Sequence, residues 1–266
     1  MGNVAKLAVI TGAAGAMGEA VASQLAAAGW SLLLCDLNAE RLETVAGKLR
    51  VDSPSVEILA GDIGDPDCAL RLETALATRG IGAFVHTAGL SPTMADAGRI
   101  LEVNFDATAR LVEVARSRMT AGGCAVLIAS SAGHMVKSEG LDQALAAAVM
   151  ARSSEGLLRF APNSQMAYTT SKRAVIRLVA QEAAAFGQRG ARIVSISPGL
   201  IDTAMARSEQ AASNQMDALL ARTPLARLGT ADEIASVAVF LCSKGASYVT
   251  GCDIRVDGGT LAALGL

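Results

Sequence analysis

Aromatic residues make up only 3% of this 266-residue chain: Trp30, Tyr168, Tyr248 and five phenylalanines. Histidine is rarer still, with His86 and His134 alone, which excludes a histidine-rich metal site, and no metal ligand set is expected. The five cysteines, Cys35, Cys68, Cys124, Cys242 and Cys252, form no CxxC pair and have no ligand-like histidine spacing. A scattered odd number argues against a disulfide framework and for reduced thiols in a cytoplasmic protein. Charge is nearly balanced, 23 basic against 25 acidic residues for a net −2, so no nucleic-acid partner is expected. No apolar run approaches the ~18 residues of a membrane span. The opening Met1–Lys6 carries no secretory pattern, and Lys6 spoils a myristoylation signal. There is no Pro/Ser-rich linker, repeat or low-complexity tract, so a single domain over residues 1–266 is expected.

What the chain has is alternation. Short apolar runs at Lys6–Thr11, Ser31–Cys35, Val56–Leu59, Ile81–His86, Cys124–Ala129, Arg192–Ile196 and Asp253–Val256 read as strands. Helical patterns lie between them, notably Glu19–Ala28, Ala39–Leu49, Pro66–Thr78, Gly98–Met119, Met166–Phe186 and Asp232–Leu241. Continuously apolar strands alternating with helices predict an α/β protein: one Rossmann-like, doubly wound parallel sheet of about seven strands, covered by helices on both faces. Ligands then bind outside the carboxyl ends of the strands. Residues after strand ends should share that edge: the glycine turn, Asp36, Asp62, Ala88-Gly89, Ser130 and Pro198-Gly199.

The turn Gly12-Ala13-Ala14-Gly15-Ala16-Met17-Gly18 lies between the first strand and the first helix. Small residues there let a pyrophosphate approach the backbone, and the helix start favours its charge. Asp36 follows the second strand, 18 residues beyond Gly18. A carboxylate at that place can hold the hydroxyls of an adenosine ribose and repel a 2′-phosphate. No Arg or Lys occurs in the turn or in Leu37-Asn38-Ala39, which favours NAD over NADP. A tight βα turn without ligand, and a plain acid at a helix start, are the alternatives.

Tyr168 and Lys172 stand four apart on one predicted helix face. A nearby ammonium stabilises phenolate and lowers the tyrosine pKa, so the phenol can exchange a proton near neutral pH. An ordinary helix with one packed Tyr and one exposed Lys would show the same spacing.

With these residues placed, the chain resembles the short-chain dehydrogenase/reductase family over nearly its whole length. The resemblance is carried in order by Thr11–Gly18, Asp62-Ile63, Thr87–Gly89, Asn104, Ser130, Tyr168–Lys172, Ser197–Gly199, Thr203, Pro224–Ala235 and Tyr248–Gly259. It implies hydride transfer between a nicotinamide and a carbonyl or secondary alcohol. In that scheme Tyr168 is the general acid/base. Lys172 lowers its pKa and bonds the nicotinamide ribose. Ser130, rather than the adjacent Ser131, holds the substrate oxygen, because it precedes Gly133 by three. Asn104 positions a water linking Lys172 to solvent. The cofactor would be held by Gly12, Gly15, Met17, Gly18, Asp36, Leu37, Asp62, Ile63, Ala88, Gly89, Pro198, Gly199, Ile201 and Thr203, with Tyr168 and Lys172, and Val103 beneath the adenine. A homodimer or homotetramer is implied.

Three departures from the family pattern stand out. His86-Thr87 replaces the usual Asn-Asn; a satisfied core histidine is expected over a titrating one, and cofactor affinity is put in doubt. Ser130 and Tyr168 are 38 residues apart, where the family has about a dozen, so residues 134–165 form an insertion. Similar insertions occur in bacterial 3-alpha-hydroxysteroid dehydrogenase/carbonyl reductases, and a subunit interface is expected before a substrate lid. The segment Ala204–Arg222 has Met205, Met216, Leu219 and Leu220 but no aromatic. That suits a small-molecule alcohol or ketone of aliphatic or alicyclic, steroid-like character. A 3-oxoacyl thioester is the second substrate class. A dinucleotide-sensing protein without turnover is the rival from another class. The apolar end, Asp257–Leu266, is expected to be exposed in the free subunit.

Overall fold

Runs rich in Val, Ile, Leu and Ala form seven strands: β1 (Leu7–Thr11), β2 (Ser31–Asp36), β3 (Val56–Ala60), β4 (Ile81–His86), β5 (Met119–Ile128), β6 (Arg192–Pro198) and β7 (Asp253–Val256). The computed structural model describes residues 6–203, 207 and 215–266. The expectations placed on Met1–Ala5 and on Met205 lie outside the described residues. All strand pairs are parallel, in the order β3-β2-β1-β4-β5-β6-β7. The order reverses between β1 and β4, which opens a crevice at the carboxyl ends of these two strands.

The pleat sends alternate residues to opposite faces. Ala8, Ile10, Leu32, Leu34, Val85 and Val126 pack under α1 (Ala16–Ala27), α2 (Ala39–Leu49) and the helix Ala231–Leu241. Val9, Leu33, Phe84, Ala125, Leu127 and Ile193 pack on the other face, under α3 (Cys68–Leu76), α4 (Ala97–Leu101), α5 (Thr108–Arg118) and a longer helix that ends at Gly187. This is the expected doubly wound sheet. One edge differs: β3 is half-exposed rather than buried. It has a neighbour on one side only, and its Glu57 faces solvent, paired with Arg79 at 2.5 Å.

The predicted helix Gly98–Met119 is in fact two helices separated by a π turn, Glu102–Ala107, which contains Asn104. β5 begins at Met119, earlier than its apolar pattern implies, and its register against β4 shifts between Ile81 and Ala83.

The insertion is built of α6 (Ala132–Met135), α7 (Leu141–Ala151) and a 3-10 turn, Glu155–Phe160. It returns to α8 (Ser164–Gly187), whose first turn is capped by the Asn163 side chain accepting from the Met166 N–H at 2.9 Å. α7 runs beside α8 in the same direction. Arg173 reaches Asp142 at 2.8 Å near its start, and Arg152 reaches the buried Glu182 at 2.6 Å past its end. Ser154 binds Asp106 through N–H and hydroxyl at 2.6 and 3.0 Å, which ties the insertion to the π turn. Leu141, Ala144, Leu145, Ala148 and Val149 are buried in the common core. At roughly 1.5–3 kcal/mol for a fully buried large aliphatic side chain, against about 0–1 kcal/mol for an exposed pair such as Arg173–Asp142, apolar packing dominates this docking.

The expectation of an exposed apolar tail holds in part: Ala262, Ala263 and Gly265 are exposed, whereas Thr260 and Leu261 are not. Thr260 and Leu261 are 1% and 0% exposed, because the short helix Thr260–Ala263 folds back from the Asp257 turn. Asp257 holds it there by accepting from the Gly259 and Leu261 N–H groups at 2.9 and 2.8 Å.

Candidate functional site

The glycine turn leaves β1 at Thr11. Gly12 has φ +69°, and a Cβ there would lie 2.6 Å from the Ala88 nitrogen. A Cβ on Gly18 would lie 2.2 Å from the Gly12 carbonyl oxygen. Only glycine fits at either place, so the turn is drawn tight against the Ala88 loop. Gly15 caps α1 without a side chain. The first N–H groups of a helix have no intrahelical partner, so those around Met17 and Gly18 face outward with the positive end of the helix dipole. Such a turn can cradle a pyrophosphate.

Asp36, at the end of β2, accepts from the Ala14 N–H at 2.9 Å and the Asn38 N–H at 3.1 Å. Its carboxylate is thereby fixed at the rim of the turn. Leu37 beside it is 70% exposed. Sequence reasoning missed a third group at this rim. Asn38 caps α2, and Arg41, in the first turn of that helix, sends its guanidinium back to the Ala14 carbonyl at 2.9 Å. The signal was the Asn38 cap, which turns the next helix toward the glycine loop.

Asp62 and the buried Ile63 follow β3. Asp62 accepts from the Gly64 N–H at 2.8 Å and pairs with Arg99, which also holds Glu102 at 2.7 Å. Arg99 is a second cation that the sequence pattern did not place beside Asp62. Thr87 donates to the Thr11 and Gly12 carbonyls at 2.8 and 3.2 Å, so its hydroxyl secures the glycine turn in place of an amide. His86 is buried and bonded at both ring nitrogens, and burial pushes its pKa down to about 3, with the Lys172 charge adding to the effect. It is a satisfied core histidine.

The residues expected to carry proton transfer converge from three elements. Lys172 on α8 is 6% exposed and donates to the Ile128 carbonyl at 2.9 Å, two residues before Ser130. Its Nζ lies 5.7 Å from the centre of the Tyr168 ring, within cation–π range. Burial lowers its pKa from 10.5 to about 8. Asn104 is 1% exposed and closes two hydrogen bonds on the Leu90 backbone, accepting at 2.7 Å and donating at 2.9 Å, with a further bond to Ser171 Oγ at 3.2 Å. A Cβ on Gly89 would lie 3.2 Å from Asn104 Oδ1 and 3.4 Å from Lys172 Nζ. Gly89 thus lets the two side chains face one another. The amide of Asn104 serves the backbone here, and its main-chain carbonyl accepts from the Thr108 hydroxyl at 2.9 Å.

Ser130 is half-buried and its Oγ accepts from the Ala132 N–H at 3.2 Å. Ser131 is buried and its N–H donates to the Pro198 carbonyl at 2.9 Å. On β6's side, the Gly199 N–H meets the Val256 carbonyl at 3.0 Å, and a Cβ on Gly199 would lie 2.7 Å from Asp257 Cα. Ile201 is 7% exposed and bridges to Gly229; the Thr203 carbonyl accepts from the Arg207 N–H at 3.0 Å. Met216, Leu219 and Leu220 are half-buried. Among the described residues no three His, Cys, Asp or Glu side chains gather as a metal site, and no helix is long and apolar enough to cross a membrane.

Known proteins are similar to this chain in sequence and fold. A family model described as enoyl-(acyl carrier protein) reductase matches residues 12–260. A short-chain dehydrogenase/reductase of Alternaria brassicicola, bsc3, is 34% identical, with 96% of each chain covered. A D-threitol dehydrogenase of Mycolicibacterium smegmatis is 31% identical over 96% of this chain and 92% of its own. A crystal structure from Brucella melitensis, described as a short-chain dehydrogenase/reductase of the glucose/ribitol dehydrogenase type, superposes with a TM-score of 0.76 at 28% identity, covering 96% of both chains.

The Lys172 environment makes a testable statement about stability. Between its native pKa of about 8 and the ordinary 10.5, the unfolded chain holds a proton that the native chain lacks. Stability therefore rises with pH across that window. Urea unfolding from pH 8 to 10.5 should give a steeper rise for the wild type than for Lys172→Met; parallel slopes would show that the ammonium is not desolvated.

Proposed function

The chain belongs to the short-chain dehydrogenase/reductase family, and within it we propose an NAD-dependent oxidoreductase that interconverts a secondary alcohol and a ketone. The observation that carries this reading is the Lys172 ammonium, buried against the Tyr168 ring and bonded to the strand end that presents Ser130. The glycine cradle, the outward helix start and Asp36 fit a nicotinamide dinucleotide, which when bound supplies or takes up the hydride. Tyr168 gives or takes the proton at the substrate oxygen. Lys172 stabilises the phenolate form, and Ser130 donates to the same oxygen. Asn104 fixes Leu90 and Gly89 as the wall beside Lys172. Gly199, Ile201 and Thr203 line the β6 side of the crevice.

For the substrate, the half-buried Met216, Leu219 and Leu220 support an apolar, alicyclic or steroid-like alcohol. A polyol is the second reading, favoured by the D-threitol dehydrogenase relative. 3-Oxoacyl thioesters and a dinucleotide sensor without turnover are the remaining alternatives. Tyr168→Phe separates enzyme from sensor: turnover should fall by about 10²–10⁴-fold, with NADH binding, read by fluorescence, changed by less than about twofold. Unchanged turnover would reject the assigned proton donor.

The NAD preference rests on Asp36, and Arg41 opposes it at the same rim. Asp36→Ala should raise the ratio of kcat/KM for NADPH over NADH by about tenfold or more, and Arg41→Ala should lower it. A ratio unmoved by Asp36→Ala would remove the basis for NAD.

We further assign the chain to a homodimer or homotetramer. The insertion serves subunit contact rather than a lid, since buried aliphatic residues and the Arg152–Glu182 pair fix it along α8. A monomeric mass by light scattering at micromolar concentration would reject the oligomer.

A further inference from the structure

His86 takes no part in the chemistry above, yet it is buried within it. It ends β4, is 2% exposed and stacks on Phe84 at 5.9 Å between ring centroids. Nδ1 lies 2.7 Å from Thr11 Oγ1, and Nε2 lies 2.8 Å from Thr108 Oγ1. Thr108 Oγ1 in turn donates to the Asn104 carbonyl at 2.9 Å.

Proton counting orders this chain. A hydroxyl carries one proton, and that of Thr108 lies on the Asn104 carbonyl. With the Thr108 proton on that carbonyl, Thr108 accepts from His86, and the ring proton sits on Nε2. Nδ1 is then an acceptor, filled by the Thr11 hydroxyl. The ring stays neutral, because burial and the nearby Lys172 charge both oppose protonation. Hydrogen bonds run one way, from Thr11 through His86 and Thr108 to Asn104.

Both ends of the chain matter. Thr11 is the last residue of β1, directly before Gly12, and its carbonyl is held by Thr87. Asn104 lies in the π turn, where its side chain fixes Leu90 and meets Ser171, facing Lys172 across Gly89. Tying β4 to β1 needs only the bond to Thr11. The second nitrogen, bonded to Thr108, reaches the start of the helix that follows the π turn.

We propose that His86 is a positioning residue of the catalytic site: through Thr108 it holds the Asn104 carbonyl and the π turn in place, and through Thr11 it links them to the dinucleotide turn. The proposal rests on the reading of Asn104 and Lys172 as part of an oxidoreductase site.

Two measurements test it. With only two histidines in the chain, nitrogen-15 histidine NMR of the intact protein resolves both rings, and His86→Phe assigns them. The expected result is an Nε2–H tautomer for His86 that does not titrate between about pH 6 and 9. An Nδ1–H tautomer, or titration in that range, would overturn the chain. In steady-state kinetics, Thr108→Val and His86→Phe should lower kcat by about tenfold, leaving the NADH dissociation constant within about twofold. His86→Gln, which keeps a donor toward Thr108, should stay within about threefold of the wild type. Because Thr108→Val removes a single hydroxyl, it decides the matter even where His86→Phe does not fold: an unchanged kcat would overturn the proposal. A wild type that binds NADH but turns over no alcohol counts against the oxidoreductase reading, whereas the tautomer of His86 tests the positioning chain by itself.

Discussion

A buried ammonium is the constraint around which this site is arranged. An unpaired charge in an apolar interior is costly, and Lys172, at 6% exposure, has no carboxylate partner among the described residues. It relies on the Ile128 carbonyl and the face of the Tyr168 ring. Those two contacts fix the relation between α8 and the end of β5, and hence between Tyr168 and Ser130. Gly133 lets the short α6 settle on the α8 backbone, since a Cβ there would lie 2.9 Å from the Lys172 carbonyl carbon. Gly89 does the same on the opposite side. The cost of desolvation is visible in the lowered lysine pKa, and a group tuned toward neutrality exchanges protons readily at cellular pH.

The parallel sheet supplies the other half. Reversal of strand order between β1 and β4 opens the crevice, and close packing of Gly12 and Gly18 keeps backbone N–H groups rather than side chains at its floor. His86-Thr87 is the dipeptide where both halves meet. The Thr87 hydroxyl secures the glycine turn, and the His86 ring spans from β1 to the helix after the π turn. Replacement of two amides by an imidazole and a hydroxyl therefore preserves the links while changing their chemistry.

Much of this was legible from residue order. Strand runs, the glycine turn and the Tyr168–Lys172 spacing are local patterns, and local patterns determine which elements form and which strand ends carry polar groups. The π turn was not legible, because an i to i+5 bond leaves no compositional mark in Gly98–Met119. Arg41 and Arg99 escaped for another reason. Each acts at a carboxylate or carbonyl that is remote in sequence, through a long side chain whose reach depends on helix placement. Likewise, the apolar stripe of Leu141–Ala151 predicts a helix but not that it runs beside α8 with Arg152 on Glu182. The half-exposed β3 follows from its edge position, which strand composition alone does not reveal.

The most direct test of the account is NAD reduction by the purified protein, followed by NADH absorbance, across cyclohexanols, hydroxysteroids, threitol and 3-hydroxyacyl thioesters, with NADP in parallel. The account predicts turnover with one class of secondary alcohol, faster with NAD than with NADP. NADH binding without turnover on any of them would contradict the oxidoreductase assignment and favour a dinucleotide-sensing protein.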